Sequence, residues 1–382
     1  MEIYVVKEGD TVDSIAGRYG ISASSIIFNN QLVYPYPLAL GQALLLSTGP
    51  TPAPTYPAYV NGYAYPYIEQ DVLNDTLPYL TSLSVFSYGF TPEGELLPPN
   101  PDDSFMAQSA LSYQVSPVLT LTPFGPDGNF NNYLITSVIN NREAKNNLLQ
   151  NLLATLQEKS FTGVNIDFEY ILPQDRIPFA NFVAQAREFL SPYGYQVSVA
   201  LAPKTSDTQP GLLYEGKDYA LLGQAADSVL LMTYEWGYTY GPPMAVAPIN
   251  KVREVVDYAV TRILPAKIDL GIPNYGYDWA LPFVQGSSRA RVVGNLEAVQ
   301  LAIDAGVPIQ FDETAMSPFF RYEKEGQLHE VWFEDVRSYR EKFSLLPLYS
   351  LRGMGYWQIM RFFRPNWLLL QSTFQIQKNQ RP

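Results

Sequence analysis

Cysteine is absent from the 382 residues, and histidine occurs once, as His329. Without thiols the fold uses no disulfide, no thiol nucleophile and no cysteine metal site, and the redox compartment stays open. A Ser-His-Asp triad or a multi-histidine zinc site would have to use His329. That residue lies in KEGQLHEVW, a polar turn entering a short strand, where an ordinary surface histidine is expected. Basic residues are also scarce, 25 Lys and Arg against 37 acids, giving a net charge of −12. Sequence-independent binding to nucleic acid or to an anionic membrane relies on clustered cations, so both are excluded as expected partners. A neutral or modified polymer is more compatible. No basic segment followed by an apolar core opens the chain, and no apolar run is long enough to span a bilayer; the expectation is a chain without a classical export signal. No metal site or organic cofactor is suggested.

What is present is a 47% hydrophobic content, enough for a sizeable core, and 14% aromatics that include 28 tyrosines. Tyrosine and tryptophan combine apolar faces with polar tips, which suits sugar rings as well as cores. Residues 47–57, STGPTPAPTYP, carry proline at near-alternate positions and read as a stiff linker, placed at 48–57. It separates a small module, 1–47, from a large domain, 58–382. The module opens with the strand Tyr4 to Val6. Asp10 or Thr11 can cap a helix in which Val12, Ile15, Ala16 and Tyr19 recur at helical spacing. Gly20 ends it, Ser22 can cap a second helix, and Ala43 to Ser47 closes a second strand, giving β-α-α-β. YVVKEGDTVDSIAGRYGISASSIIFNNQL followed by LALGQALLL resembles a LysM domain over nearly the whole module. That resemblance implies binding of N-acetylglucosamine-containing glycans through Gly9, Asp10, Thr11 and the loop from Asn30 to Leu38.

The large domain alternates short β-rich runs with helical patterns. NGYAYPY, TSLSVFSYGF, VSPVLTLTPF, GVNIDFEY, YQVSVALAPK, DSVLLMTYEW, KIDLGIPNYGY and GMGYWQIM are eight strand candidates, which points to an α/β fold of (β/α)8 TIM-barrel type. The gap at about 280–335 is too long for one unit and reads as a small α+β insertion between strands seven and eight. In GVNIDFEY, Val164, Ile166 and Phe168 alternate with Asn165, Asp167 and Glu169, so a strand would put the three polar groups on one face. In a barrel that face points inward, with Glu169 nearest the mouth. Buried acids need mutual hydrogen bonds or a task. Asp167 and Glu169 are close enough for coupled titration, with one acid held protonated as a general acid requires.

GVNIDFEY resembles the signature strand of glycoside hydrolase family 18, Asp-Gly-x-Asp-x-Asp-x-Glu, and further motifs follow in order from about residue 58 to 360. LLMTYEW is similar to the family's Met-x-Tyr-Asp strand, LGIPNYGYDW to its seventh strand and GMGYWQI to its eighth. The resemblance implies substrate-assisted hydrolysis, an exception to the two-carboxylate scheme. Glu169 would protonate the glycosidic oxygen, Asp167 would orient the acetamide N–H, Tyr234 would donate to the acetamide oxygen, and Trp357 would stack under the ring. Asn165, Met232, Glu235, Tyr63, Tyr275 and Tyr277 would line the sugar site; Tyr65, Phe86, Tyr88 and Trp279 sit at or beyond strand ends as weaker candidates. Thr162 and Asn165 depart from the family's first two aspartates, and Glu235 stands where an aspartate is usual. Asn165 is expected to hydrogen-bond Asp167.

The strand variant, the following LPQDR and the LysM fusion look most similar to bacterial spore cortex-lytic enzymes, N-acetylglucosaminidases of peptidoglycan that lack a classical signal peptide. The expectation is a monomeric retaining hydrolase of spore cortex fragments, located in the spore coat, cortex or cell wall. Chitinase, and a non-catalytic spore-coat lectin, are the alternatives.

Overall fold

The computed structural model describes residues 1–50, 52–125 and 128–378; Thr51 of the expected linker and residues 126–127 and 379–382 of the expected barrel domain lie outside them. The N-terminal module is the expected β-α-α-β unit: Glu2–Val5, Val12–Tyr19, Ala23–Asn29 and Ala43–Leu46, with the two strands antiparallel. Thr11, not Asp10, caps the first helix, its hydroxyl accepting from the Ser14 N–H at 3.1 Å. Ser22 caps the second. Ile15, Ile26, Leu44 and Leu46 form the module's own core.

Eight parallel strands then close into a barrel: Pro57–Ala64, Ser82–Phe90, Ser116–Leu121, Gly163–Ile166, Gln196–Leu201, Ser228–Leu231, Ile268–Pro273 and Gly353–Trp357. The eighth pairs with the first, and the first with the second, so no edge is left among them. Pro57, expected as the last residue of the linker, opens the first strand because its neighbour Ala58 is wholly buried between barrel and helices. Helices such as Arg142–Glu158 and Arg176–Leu190 supply the outer layer, their Leu, Ala and Phe faces packed on Val164, Ile166, Val197 and Val199.

The barrel interior departs from the usual branched apolar filling. Asn61, Ser82, Ser84, Ser116, Ser198 and Ser228 line it together with the Asp269–Arg352 ion pair, around a cavity of about 220 Å³. The Ser82 and Ser84 hydroxyls donate to Asn61 Oδ1 at 2.8 and 3.0 Å. A polar side chain pointing inward here has partners, so the inward Asn165 is no anomaly.

The fourth strand is shorter than GVNIDFEY suggested: its ladder ends at Ile166, and Asp167 and Glu169 stand on the loop beyond it. The alternation nevertheless persists. The Asp167 N–H still donates to Leu121 O at 2.9 Å, and Phe168 turns outward to stack on Phe179 and Phe182, with ring centroids 5.7 and 6.0 Å away. The insertion begins earlier than residue 280. Gly276–Ala280 leaves the barrel immediately after the seventh strand and pairs with Arg291–Val293 and Gln327–Trp332 in a five-stranded sheet, with the helix Asn295–Ala305 beside it. His329 belongs to this sheet and is no free surface residue. Its Nδ1 lies 2.8 Å from the buried Asp278 carboxylate, which also receives Tyr322 and Arg291.

The module is docked on the barrel. Leu45 belongs to the barrel core, Ala39 packs among Val293, Ile309 and Phe333 of the insertion, and the Arg364 guanidinium lies 4.2 Å from the Phe28 ring centroid. The Arg364 and Ile309 N–H groups donate to Gln31 Oε1 and Leu40 O at 2.6 and 2.8 Å. Gly41 is required at this seam: its φ is +81°, and a Cβ there would meet Ile309 O at 2.0 Å.

Candidate active site

A cleft of about 590 Å³ opens where the fourth, fifth, sixth and eighth strands end, lined by Tyr63, Asp167, Glu169, Tyr170, Tyr214, Met232, Tyr234, Glu235, Tyr238, Tyr277 and Trp357 among others. Its size falls within the range of about 300–1,000 Å³ usual for small-ligand sites, and its place at the C-terminal ends of barrel strands is where such folds carry chemistry. Asp167, Glu169, Tyr234, Met232, Glu235, Trp357, Tyr63 and Tyr277, all expected from the sequence, are brought together here from five separate segments.

The two acids differ. Asp167 is 7% exposed, and its Oδ1 is buried without a hydrogen-bond partner. Desolvation, with the Glu169 charge adding to it, pushes the Asp167 carboxyl up to about 7, while Lys217 pulls in the other direction. Glu169 is more open to the cleft. Asn165 does not bond Asp167 as expected. Its Oδ1 accepts from the Tyr63 hydroxyl at 3.0 Å and its Nδ2 donates to Ser198 Oγ at 2.9 Å, so it ties the first, fourth and fifth strands together beneath the acids. Thr162 bonds Pro117 O at the far end of the strand and takes no part in the cleft.

From the sixth strand, Met232 and Tyr234 follow Leu231, and burial pushes the Tyr234 hydroxyl up, keeping it a donor. Glu235 adopts φ +68°, a left-handed conformation costing an L residue about 1–2 kcal/mol. The next two N–H groups donate to Val246 O and Ala245 O and hold that turn. Its carboxylate accepts from the Tyr275 hydroxyl and from Tyr277 at 2.9 and 3.1 Å. Tyr275 therefore stands behind Glu235, outside the cleft lining, whereas Tyr277 reaches it. Trp357 leans on Tyr63, Phe86 and Tyr65, with centroids 5.7, 4.9 and 6.0 Å away. Tyr65 stacks on the exposed Tyr67 at 5.1 Å, while Tyr88 and Trp279 are core residues bonded to Asp103 and Gly241 O.

In the N-terminal module, Asp10 accepts from Tyr4, from the Lys7 N–H at 2.8 Å and from Arg18 at 3.1 Å. Asn30 is buried, its amide bonded to Ile26 O and to both backbone groups of Leu45. Both side chains shape the module's loops. Val33 and Tyr34, in the expected glycan loop, are 71% and 81% exposed.

The family model for glycosyl hydrolases family 18 matches residues 103–361, and that for the LysM domain matches residues 4–47. The chain belongs to glycosyl hydrolases family 18. The family match starts later than the resemblance read from residue 58. The glycoside hydrolase is 37% identical, over 99% of both chains, to the cortical fragment-lytic enzyme of Bacillus subtilis (strain 168). It is 26% identical to the di-N-acetylchitobiase of Rattus norvegicus, over 54% of this chain and 62% of that one. Among solved structures, the Bacillus cereus spore cortex-lytic enzyme SleL matches with TM-score 0.94 and 33% identity over 99% of both chains. A chitinase from Chromobacterium violaceum matches at TM-score 0.75 and 25% identity, over 82% of this chain and 98% of that one.

Sequence reasoning missed Lys217, Tyr214 and Tyr238. The two tyrosines lie in loops whose path across the cleft no periodicity announces. Lys217, in LYEGKDYA, looks like a surface lysine; only the fold buries it.

Proposed function

We propose that the hydrolase cleaves β-1,4 bonds following N-acetylglucosamine in peptidoglycan, acting on spore cortex fragments during germination by a retaining, substrate-assisted mechanism. What carries this reading is similarity to the cortical fragment-lytic enzyme along the whole chain, module included, combined with the inward Asp167–Glu169 pair. The glycan partner and an extracytoplasmic place of action follow from it.

The roles are assigned as follows. Glu169, open to the cleft, gives its proton to the glycosidic oxygen as the C1–O bond breaks. The acetamide oxygen of the sugar in the −1 subsite forms the new bond to C1, giving an oxazolinium ion. Asp167 accepts from the acetamide N–H and, as carboxylate, faces the positive charge that develops there. Tyr234 donates to the acetamide oxygen and Trp357 supports the ring. A water then attacks C1 as the C1–O bond of the oxazolinium ring breaks and the acetamide is restored, the water's proton passing to the Glu169 carboxylate, and the configuration is retained. The pair must hold one proton, so activity is bounded above by the loss of that proton, near the pH of about 7 to which burial raises Asp167.

The test is mass spectrometry of cortex muropeptides and of chitin oligosaccharides after digestion. New N-acetylglucosamine reducing ends on cortex fragments, formed first as the β-anomer, are expected. Turnover confined to chitin oligosaccharides would favour the second reading, a chitobiose- or chitin-type hydrolase, which the chitobiase and chitinase matches support. Glu169→Gln should lower kcat by about 10²–10⁴ and leave glycan binding by the module intact; full activity in that variant overturns the assignment.

A further inference from the structure

Lys217 is fully buried, and among the described residues its Nζ has no hydrogen-bond partner. An ammonium in that state is costly unless charges of opposite sign lie within reach. The segment carrying it is packed against the catalytic loop. Leu213 and Tyr214 line the cleft beside Asp167 and Glu169. Gly216 lies so close to the backbone after Glu169 that a Cβ would stand 2.2 Å from Ile171 O. The Lys217 N–H donates to Tyr214 O at 3.1 Å, and its carbonyl accepts from Lys204 Nζ at 2.8 Å, so the backbone on both sides is held. Among the described residues no ion pair within 4.0 Å fixes the side chain.

We propose that Lys217 is a positioning residue for the catalytic proton: its buried ammonium, without a hydrogen-bond partner and carried on the segment packed against the catalytic loop, sets the pH window in which the Asp167–Glu169 pair carries a single proton. This rests on the glycosidase reading of the cleft and adds a residue to it. The charges around the group act on it in both directions. Asp167 and Glu169 favour its charged form, Lys204 and burial oppose it, and the balance brings Lys217 down to about 8. Its effect on Asp167 is reciprocal and opposes burial and Glu169. Lys204 answers in turn to Arg176, Asp207 and Asp218. Around the acids, Tyr63, Tyr65, Tyr170 and Tyr234 are all pushed up and remain neutral, and burial raises the Glu235 carboxyl too, with Tyr275 and Tyr277 opposing and the Glu169 charge adding to the rise. Where the family pattern has a further acid, this chain has Asn165. Lys217 thus feels two carboxyls, and one cation balanced by one carboxylate and one carboxylic acid leaves no net charge among the three.

The test is the pH dependence of kcat/KM for Lys217→Met on soluble muropeptides. Removing the cation should move both limbs of the profile to higher pH by at least about half a unit and lower the rate at pH 6 several-fold, with thermal stability at pH 7 lowered, since a buried carboxylate is left without its counter-charge. Should that variant not fold, the Lys217 ¹⁵Nζ resonance of the intact protein gives a second reading: Asp167→Asn should lower its titration midpoint by a unit or more. A profile superimposable on that of the parent, or a midpoint indifferent to Asp167→Asn, overturns the proposal. Neither result touches the glycosidase reading, which fails only if Glu169→Gln remains active.

Discussion

Asp167 and Glu169 are two residues apart, yet their environments separate them. The inward one is buried at the cleft floor and the next is more open, because each step along the chain moves the side chain further toward the mouth. That difference has a measurable consequence for stability. The folded-state value of Asp167 is raised from 3.8 to about 7, so its contribution to stability is fully present below about pH 4 and is lost as pH rises through 7. Asp167→Asn removes the ionisation. Its melting temperature relative to the parent should therefore be higher at pH 8 than at pH 4.5, while kcat falls by two or more orders of magnitude. A calorimetric comparison at the two pH values checks the first, and initial rates check the second. Equal differences at both pH values would mean that Asp167 is not desolvated as described.

The catalytic loop is held on its outer side by an aromatic. Phe168 is 1% exposed and sits among Phe90, Phe179 and Phe182, so the loop beyond Ile166 is clamped to the helix Arg176–Leu190 even though its ladder has ended. Phe168→Ala removes that clamp and opens a cavity, a change that costs about 3–5 kcal/mol in well-packed cores. Denaturant unfolding should show this loss, and kcat should fall with little change in glycan binding by the N-terminal module. The same logic explains why the strand looked longer in sequence than it is. A two-residue alternation reports which way side chains face, and it continues whether or not a neighbouring strand supplies hydrogen bonds. The boundary of the insertion was hidden for a related reason: IDLGIPNYGYDW carries the same mix of apolar, aromatic and isolated polar residues on both sides of the junction, and nothing local marks Asn274 and Tyr275 as the point where a parallel strand gives way to an antiparallel one.

At the scale of the molecule, the module and barrel share a core residue and a set of backbone contacts, so glycan held by one is presented to the other in a limited set of orientations. Half-buried Arg364 forms the outer part of this seam, with its guanidinium over the exposed Phe28 ring and an N–H donated to Phe28 O at 3.1 Å. Arg364→Ala should weaken docking by about 1 kcal/mol. Limited proteolysis within residues 47–56 would then run several-fold faster, with kcat on soluble fragments unchanged and activity on insoluble glycan reduced. No acceleration of cleavage would mean that Leu45 and the Ala39–Phe333 contacts hold the module without it.

Composition, the eightfold alternation of strand and helix and the inward row Asn165, Asp167, Glu169 were legible in the sequence, because periodicity and motif order are local properties of the chain. The cleft's main members were legible too, since each stands at or just beyond the end of a strand whose direction the barrel fixes. Which acid is buried, that Asn165 bonds Tyr63 and Ser198 and leaves Asp167 alone, that Tyr275 stands behind Glu235, and that Lys217 is enclosed beside the catalytic pair were decided only by tertiary structure. Desolvation and long-range electrostatics depend on what surrounds a group in space, and residues far apart in the chain supply those surroundings.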